Sequence, residues 1–377
     1  MNFELTREQE SVRAGFRNFV NSEIAPYADS FDKEECLPQQ LIAKLASQGY
    51  LALSLPKDIG GGGHDMITYG LMNEEIARGC SSVRSLLTVH AMVAHVIGRW
   101  GTRHQQNHYL PKLVSGEMIA AFALTEPNAG SDSQGLETTA TPDGDFYILN
   151  GVKRWITGGQ IAQLFLVFAR CGEKINAHLV ERESPGLSLK PITGLLGVRA
   201  SMLAELTMRD CRTAKENCIS QTGFSFSHVA SDALDLGRYS VAWGCVGIAQ
   251  ACLDASLLYA GARKQFGEFL RNRQLIQRML ADMITNIRAA RLLCYKAGHL
   301  RDIRDPNAMM ETSIAKYFAA TVANKAANDA VQIHGANGCG GEYPVQRFMR
   351  DAKIMEIIEG STQIQQITIP GYPHEQG

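Results

Sequence analysis

The chain has 377 residues, 45% of them hydrophobic, and its 37 basic and 38 acidic side chains leave a net charge of −1. This length predicts two or three domains around a large buried core. The balanced charge provides no basic face of the kind that nucleic-acid binding requires, so we expect no nucleic-acid partner. Nine scattered cysteines lack the spacing of a metal site, and they predict no bound metal and thiols kept in a reducing compartment.

No segment predicts a signal peptide or a membrane span. The N-terminal run MNFELTREQE is charged and amphipathic, unlike a secretory leader. The least charged stretch, residues 239–253, is interrupted by glycine and glutamine and is shorter than the roughly 20 residues that a spanning helix needs. We therefore expect a cytoplasmic protein with no membrane partner.

Helical periodicity dominates the first part of the chain, from Thr6 to about Gly116. It predicts an N-terminal α-helical domain over residues 1–120. In the first helix, Gln9, Arg13 and Arg17 form a polar stripe at helical spacing, offset from the apolar side chains.

The sequence pattern then changes to short runs of β-forming residues separated by turn residues, which predicts a middle antiparallel β domain over residues 121–223. The pair Asn150-Gly151 is typical of a two-residue hairpin turn. Over residues 224–377 helical periodicity returns, and two long apolar stripes predict a C-terminal four-helix bundle. The fold class is therefore α+β, in the order helices, β domain, helical bundle.

A run near the C-terminus, IIEGSTQIQ at residues 357–365, places one carboxylate on a glycine corner. Glu359 follows two isoleucines and precedes Gly360, so a helix ending there would direct the carboxylate into an adjoining cleft. A carboxylate beside apolar walls loses hydration, and its raised pKa makes it a usable base. The alternative from this run alone is a solvated glutamate in a helix-ending turn.

Four further motifs carry chemistry-bearing residues in turns or at element ends. The β domain opens with FALTEPNAGSD (122–132), whose small residues let backbone N–H groups approach a ligand. The run KRWIT (153–157) offers a flat indole face and a hydroxyl two residues on. The run ARKQFG (262–267) places two cations and an aromatic side chain at a helix end. The run QIHGANG (332–338) places an amide side chain beside a glycine-flanked loop. Each motif alone also fits an ordinary structural role.

Together, in this order, the motifs TEPNAGSD, WIT, RKQFG, QIHGANG and EGSTQIQ resemble the acyl-CoA dehydrogenases, flavoenzymes that oxidise acyl thioesters. The resemblance spans the chain from Thr6 to Ile369 and implies FAD as the cofactor. Residues that it implies near the flavin ring, with Ser131 shared between cofactor and thioester, are Phe122, Leu124, Thr125, Ser131, Trp155 and Thr157. Those that it implies for the diphosphate and adenine, partly across a subunit interface, are Arg263, Phe266, Gln332, Gly335 and Ala336. Those that it implies to complete the cofactor site are Ser361, Thr362 and Gln363.

The same resemblance assigns the catalytic base. Glu359 would remove the α-proton while hydride leaves Cβ for flavin N5, with a backbone N–H at the Glu359–Gly360 corner polarising the thioester carbonyl. Some members carry the base on the bundle helix that begins near Asp235, where this chain has Gly237, and this favours Glu359. Arg238 would be a helix-start cation that faces the active site.

Two segments bear on the substrate. Arg84, in CSSVRSLLTVHAM (80–92), would lie at the far end of the acyl pocket, where it suits an acidic acyl group, as in glutaryl-CoA dehydrogenases. The runs RYSVAWGCVGI and RDAKIMEIIEGS look most like acyl-carrier-protein dehydrogenases that make hydroxymalonyl, methoxymalonyl or aminomalonyl extender units for polyketides and nonribosomal peptides. Trp243 would then shorten the pocket, and Arg84 would hold the new carboxylate.

Several alternatives stay open at this point. Arg84 could equally be a surface residue at the start of its helix. The sequence also fits a glutaryl-CoA or short-chain acyl-CoA dehydrogenase. A non-dehydrogenating flavoprotein of the same fold is more remote, because such members often lack the base. The resemblance also implies acyl carrier protein or CoA as the thioester handle, electron-transfer flavoprotein or O2 as the electron acceptor, and a homotetramer or homodimer, which the apolar helix stripes favour too.

Overall fold

The computed structural model describes residues 4–219 and 225–372. Its N-terminal part is helical. The first helix begins with a capping box, in which the Thr6 hydroxyl accepts from the Gln9 backbone N–H and the Gln9 side chain accepts from the Thr6 backbone N–H. The α-helices before residue 120 are α1 Arg7–Glu23, α2 Ala28–Glu34, α3 Gln39–Ser47, α4 Met66–Gly79, α5 Ser81–Trp100 and α6 Arg103–Ser115.

The polar stripe of α1 packs against α4. The Gln9 side chain donates to Asp65, which caps the start of α4, at 2.9 Å. Arg13 and Arg17 both form ion pairs with Glu75, at 3.0 and 2.7 Å. Glu75 is fully buried, and these guanidinium groups hold its pKa below the usual value despite burial. The stripe is therefore an interhelical contact.

An eight-stranded sheet follows. Its strands are β1 Ala120–Ala123, β2 Thr139–Asp143, β3 Phe146–Ile156, β4 Leu164–Cys171, β5 Lys174–Glu181, β6 Leu187–Pro191, β7 Ala204–Ala214 and β8 Cys218–Ile219. They lie in the order β6-β7-β3-β2-β4-β5-β8, with β1 beside β4. Pairing is mostly antiparallel, while β1 and β2 each run parallel to β4.

The predicted hairpin turn at Asn150-Gly151 is wrong, because both residues lie inside β3. The chain reverses one strand earlier, at Gly144, whose φ of 53° is left-handed. Gly151 instead marks a register shift between β3 and β7, with φ of 150°. A Cβ there would lie 2.4 Å from the Thr138 hydroxyl, so the glycine permits the close approach of the residue that precedes β2.

The C-terminal part is helical again, after a π-helical turn at Ser225–Ala230. The α+β class, with an N-terminal helical domain, a middle β domain and a C-terminal helical domain, is confirmed. The predicted boundary between residues 223 and 224 lies outside the described residues. The C-terminal elements are α7 Ser231–Ala262, a hairpin of β9 Lys264–Gln265 and β10 Glu268–Phe269, α8 Gln274–Asp302, α9 Ala308–His334, α10 Val345–Met355 and α11 Thr362–Thr368.

Helix α7 is the centre of this part and packs on α4, α5, α8 and α9. The continuous helical segment Phe226–Ala262 is long and apolar enough to cross a membrane by composition, yet 72% of its most apolar window is buried inside the protein. Cys245 and Cys252, from the predicted apolar stripe, are fully buried. These features identify α7 as a core helix of the bundle.

Candidate active site

A cavity of about 620 Å³ lies where α5, the β domain, α7 and the loop after α10 meet. Among the described residues, no cluster of three or more His, Cys, Asp and Glu side chains could hold a metal ion. The cavity brings together many residues singled out from the sequence, namely Arg84, Phe122, Leu124, Thr125, Ser131, Trp155, Thr157, Arg238, Glu359, Gly360 and Ser361.

Glu359 stands on a sharp corner that follows α10. Both corner residues have left-handed backbone, with φ of 55° at Glu359 and 86° at Gly360, and this turns the carboxylate out of the helix direction and into the cavity. The residue as a whole is partly exposed, but its Oε2 atom is buried without a hydrogen-bond partner in the described part of the chain. Burial raises the pKa of Glu359 to about 7, although the cations Arg238, Arg84 and Lys316 lower it. Such a carboxylate can accept a proton at neutral pH.

Arg84 lines the same cavity and is only 1% exposed, so it is not a surface residue. Its guanidinium donates to the Thr88 hydroxyl at 3.2 Å and to the Ser85 hydroxyl at 3.0 Å, and it contacts the sulfur of Met355. Its Nε has no partner among the described residues. Burial lowers the pKa of Arg84, against the opposing effect of acidic groups that include Glu359 and Asp351.

A buried hydroxyl relay supports Arg84 from behind, and the sequence motifs did not reveal it. The one proton of the Thr88 hydroxyl can be donated either to the Ser240 hydroxyl at 2.5 Å, which links the two helices, or to the Arg84 carbonyl at 2.8 Å. Ser240 in turn donates to the Asn73 side-chain oxygen at 2.6 Å. The relay joins α5, α7 and α4, so the arginine lies on a rigid part of the fold. The only signal in the sequence was Thr88 one helical turn after Arg84.

The opposite wall fits a flat aromatic cofactor ring. Trp155 is 48% exposed although it lines the cavity, and its φ of 63° directs the indole out of β3 just where the register with β7 shifts. Thr125 and Thr157 line the wall beside it. An open indole face with neighbouring hydroxyls is a donor set that fits the isoalloxazine ring of FAD.

A buried ion pair fixes the turn that carries Thr125. Lys153 is fully buried and donates to the Glu126 carboxylate at 2.7 Å and to the Leu124 carbonyl at 3.1 Å. Glu126 also accepts from the backbone N–H groups of residues 137 and 138. These charge-assisted bonds hold the pKa of Glu126 below its usual value despite burial, and they anchor the cofactor wall to β3.

The remaining predicted cofactor residues lie outside the cavity. Thr362 does not line it; its backbone N–H and its hydroxyl both donate to the Glu356 carbonyl. Gln363 is exposed at the start of α11. The residues predicted for the diphosphate and adenine are exposed on the hairpin after α7 and at the end of α9, and they are Arg263, Phe266, Gln332, Gly335 and Ala336.

The position of Trp243 corrects its predicted role in shortening the pocket. The side chain is fully buried and is absent from the cavity wall. It packs edge-on against Tyr239 and Tyr295, between α7 and α8. A Cβ at Gly70 would lie 2.2 Å from its indole nitrogen, so α4 also closes over it. Trp243 is therefore a core residue of the bundle.

Comparison with known proteins gives the same family over the whole chain. Sequence models of the acyl-CoA dehydrogenase N-terminal, middle and C-terminal domains match residues 6–117, 121–211 and 227–370. The chain is 41% identical to the probable acyl-CoA dehydrogenase YngJ of Bacillus subtilis, over 98% of each chain. It is 38% identical to the short-chain specific acyl-CoA dehydrogenase of Clostridium acetobutylicum, over 98% of this chain and 99% of that protein.

Solved structures agree. Butyryl-CoA dehydrogenase of Megasphaera elsdenii superposes with a TM-score of 0.95 at 36% identity, covering 98% of this chain and 99% of the other. A glutaryl-CoA dehydrogenase of Mycobacterium smegmatis in complex with FADH2 superposes with a TM-score of 0.93 at 28% identity, covering 99% of this chain and 97% of the other. FkbI, a protein for biosynthesis of a methoxymalonyl extender unit, superposes with a TM-score of 0.87 at 30% identity, covering 95% of this chain and 98% of the other. The chain belongs to the acyl-CoA dehydrogenase family of FAD-dependent oxidoreductases that act on the CH–CH bond of acyl thioesters.

Proposed function

We propose that this enzyme oxidises a short acyl-CoA whose acyl group ends in a carboxylate, as in a dicarboxylic thioester of the glutaryl class. The observation that carries the proposal is Arg84, a buried guanidinium in the cavity wall. Within the described residues its hydrogen bonds all go to neutral atoms. The short-chain relatives, with 38% identity for the one from Clostridium acetobutylicum, support a short acyl group.

The energetics of burial favour an acidic substrate. An unpaired buried cation costs several kcal/mol, and a well-placed carboxylate offsets that cost through paired, charge-assisted bonds. An apolar chain such as butyryl would leave the guanidinium desolvated beside a methyl group. Gly244 gives Arg84 room, since a Cβ there would lie 2.9 Å from Nε. The Nε of Arg84 is buried without a hydrogen-bond partner among the described residues, and the fork geometry of a guanidinium suits a bidentate carboxylate.

Glu359 is the proposed base for the oxidation. Its carboxylate takes the proton from Cα of the thioester, and Cβ gives up a hydride, so a C=C bond forms and two electrons leave the substrate. FAD, when bound against Trp155, supplies the hydride acceptor. A pKa of about 7 keeps a substantial fraction of Glu359 ionised near neutral pH, while its dry surroundings strengthen it as a base.

A carrier-bound three-carbon acyl group is the second candidate. The likeness to FkbI, at a TM-score of 0.87, supports it, and Arg84 would then hold the carboxylate that the oxidation creates. Trp243 no longer supports this reading, because it does not line the cavity. The thioester handle is thus CoA in the first candidate and an acyl carrier protein in the second.

We further propose a homo-oligomer, a dimer or tetramer, in the cytoplasm. Phe266 is 96% exposed on the hairpin after α7, and Leu258 and Leu275 nearby are also largely exposed. Together with Arg263 these residues would complete the cofactor site of a neighbouring copy. A monomer by analytical ultracentrifugation that still holds FAD tightly would contradict this. The electron acceptor would be an electron-transfer flavoprotein or O2.

The experiment that tests the substrate is anaerobic stopped-flow bleaching of the flavin. The purified protein should be yellow, and glutaryl-CoA should bleach it at least about 30-fold more efficiently than butyryl-CoA, because one unpaired buried charge is worth about 2 kcal/mol or more. Faster bleaching by butyryl-CoA would contradict the acidic acyl group. Bleaching only by a three-carbon acyl group on a carrier protein would select the second candidate.

A further inference from the structure

A buried lysine stands directly behind the corner that presents Glu359. Lys316 lies on α9 and is fully buried. Its Nζ donates to the Gly360 carbonyl at 2.7 Å. The proposed oxidation makes no use of this residue, and none of the sequence motifs contains it. Burial of an ammonium group costs free energy of folding, so its position next to Glu359 requires an explanation.

Three helices hold the backbone of this corner through side chains. Lys316 of α9 and Gln365 of α11 both donate to the Gly360 carbonyl, and Gln365 also lies 3.3 Å from the Glu359 carbonyl. Arg238 of α7 donates to the Glu359 carbonyl at 3.3 Å. Because both corner residues have positive φ, which is unfavourable for a glutamate, the corner needs such support to persist.

Lys316 also supplies charge to a dry site. The charged groups that act on it are Glu359, Glu356 and Arg238, and the nearby thiol of Cys245 has its pKa raised to about 12 and is neutral. Burial lowers the pKa of Lys316 to about 8, so the ammonium predominates at neutral pH. Its charge, together with the larger effects of Arg238 and Arg84, lowers the pKa of Glu359 against the still larger effect of burial.

We propose that Lys316 is a positioning residue for the base: it fixes the Glu359–Gly360 corner through the Gly360 carbonyl, and its positive charge favours the ionised form of the Glu359 carboxylate. This inference rests on the proposed role of Glu359.

The test uses two variants of the holoenzyme that separate charge from hydrogen bond. Lys316→Gln keeps a donor without the charge, and Lys316→Met removes both. In each, the midpoint of the pH dependence of flavin reduction should rise by about one unit, which makes reduction about 5-fold slower at pH 7 and leaves the alkaline plateau of Lys316→Gln close to wild type. Lys325→Gln is the matched control, since Lys325 lies on the same helix but is half-exposed and paired with Asp329.

A second readout is independent of turnover. Difference infrared spectroscopy follows the protonated carboxyl band of Glu359, assigned by its loss in Glu359→Gln, and its titration midpoint should shift upward by the same amount in both Lys316 variants. An unchanged infrared midpoint would overturn the role of Lys316, even if the rates fell. If Lys316→Met does not fold, Lys316→Gln decides alone. Undiminished flavin reduction in Glu359→Gln would instead contradict the proposed base and leave the infrared result interpretable.

Discussion

A Cβ atom at Gly237 would lie 2.5 Å from Oε2 of Glu359. The same Cβ would lie 2.9 Å from the sulfur of Met92, so the space is closed on two sides. Gly237 is buried in the second turn of α7, inside a helix, where glycine is otherwise unfavourable. The two positions are therefore linked: the glycine on α7 leaves room for the carboxylate that arrives from the corner after α10. A base on α7 and a base at the corner could not occupy this space together.

Gly237→Ala should displace the Glu359 carboxylate. The added methyl group overlaps Oε2, and we expect a loss of about 1–3 kcal/mol in the free energy of unfolding and at least a 10-fold slower flavin reduction. Gly15→Ala is the control, because Gly15 is also helical but a Cβ there meets nothing within 4 Å. That control should stabilise the protein slightly. Wild-type flavin reduction in Gly237→Ala would show that the carboxylate does not need this space.

Glu359→Gln should retain FAD and lose about 10²–10⁴-fold in the rate of flavin reduction, since only the base is removed. In the wild-type protein the rate should rise with pH through a midpoint near 7, because the ionised carboxylate is the active form. Stopped-flow traces at several pH values measure both effects. A pH-independent wild-type rate between pH 6 and 8 would argue against Glu359 as the titrating base.

The same substitution should stabilise the fold at alkaline pH. The pKa of Glu359 rises from 4.5 to about 7 on folding, so the folded state binds the proton more tightly and the free energy of unfolding falls as pH increases between these values. Glu359→Gln removes this loss, and at pH 8 it should gain on the order of 3 kcal/mol relative to wild type. Denaturant titrations at pH 5 and pH 8 measure it. An equal difference at both pH values would contradict the raised pKa.

The parts of the site that lie in contiguous sequence motifs were the easiest to predict from the sequence. The Glu359–Gly360 corner and the TEPNAGSD and WIT segments could be recognised because their turn residues and hydroxyls are adjacent in the chain, and the structure places them around one cavity. Features that depend on tertiary packing were missed. Lys316 lies 43 residues before Glu359 on another helix, and nothing local distinguishes it from a surface lysine.

Two errors have clear physical reasons. Asn150-Gly151 has the composition of a hairpin turn, but the glycine makes room for Thr138, which precedes the neighbouring strand, and the reversal occurs at Gly144. Trp243 lies on the helix that lines the cavity, yet it points to α4 and α8. Periodicity identifies a buried face without saying which neighbour covers it. The burial of Arg84 likewise could be recognised only from the folded structure and not from the sequence.

Arg84→Met gives the most direct test of the proposed substrate. We expect its kcat/KM for glutaryl-CoA to fall by at least about 30-fold while that for butyryl-CoA holds or rises, because methionine fills the pocket end without a charge. Arg99→Met is the control, since Arg99 lies on the same helix and is exposed. The ratio of kcat/KM for glutaryl-CoA to that for butyryl-CoA should therefore fall by at least about 30-fold in Arg84→Met and stay unchanged in Arg99→Met. An equal fall for both substrates, with FAD retained, would contradict recognition of a substrate carboxylate by Arg84.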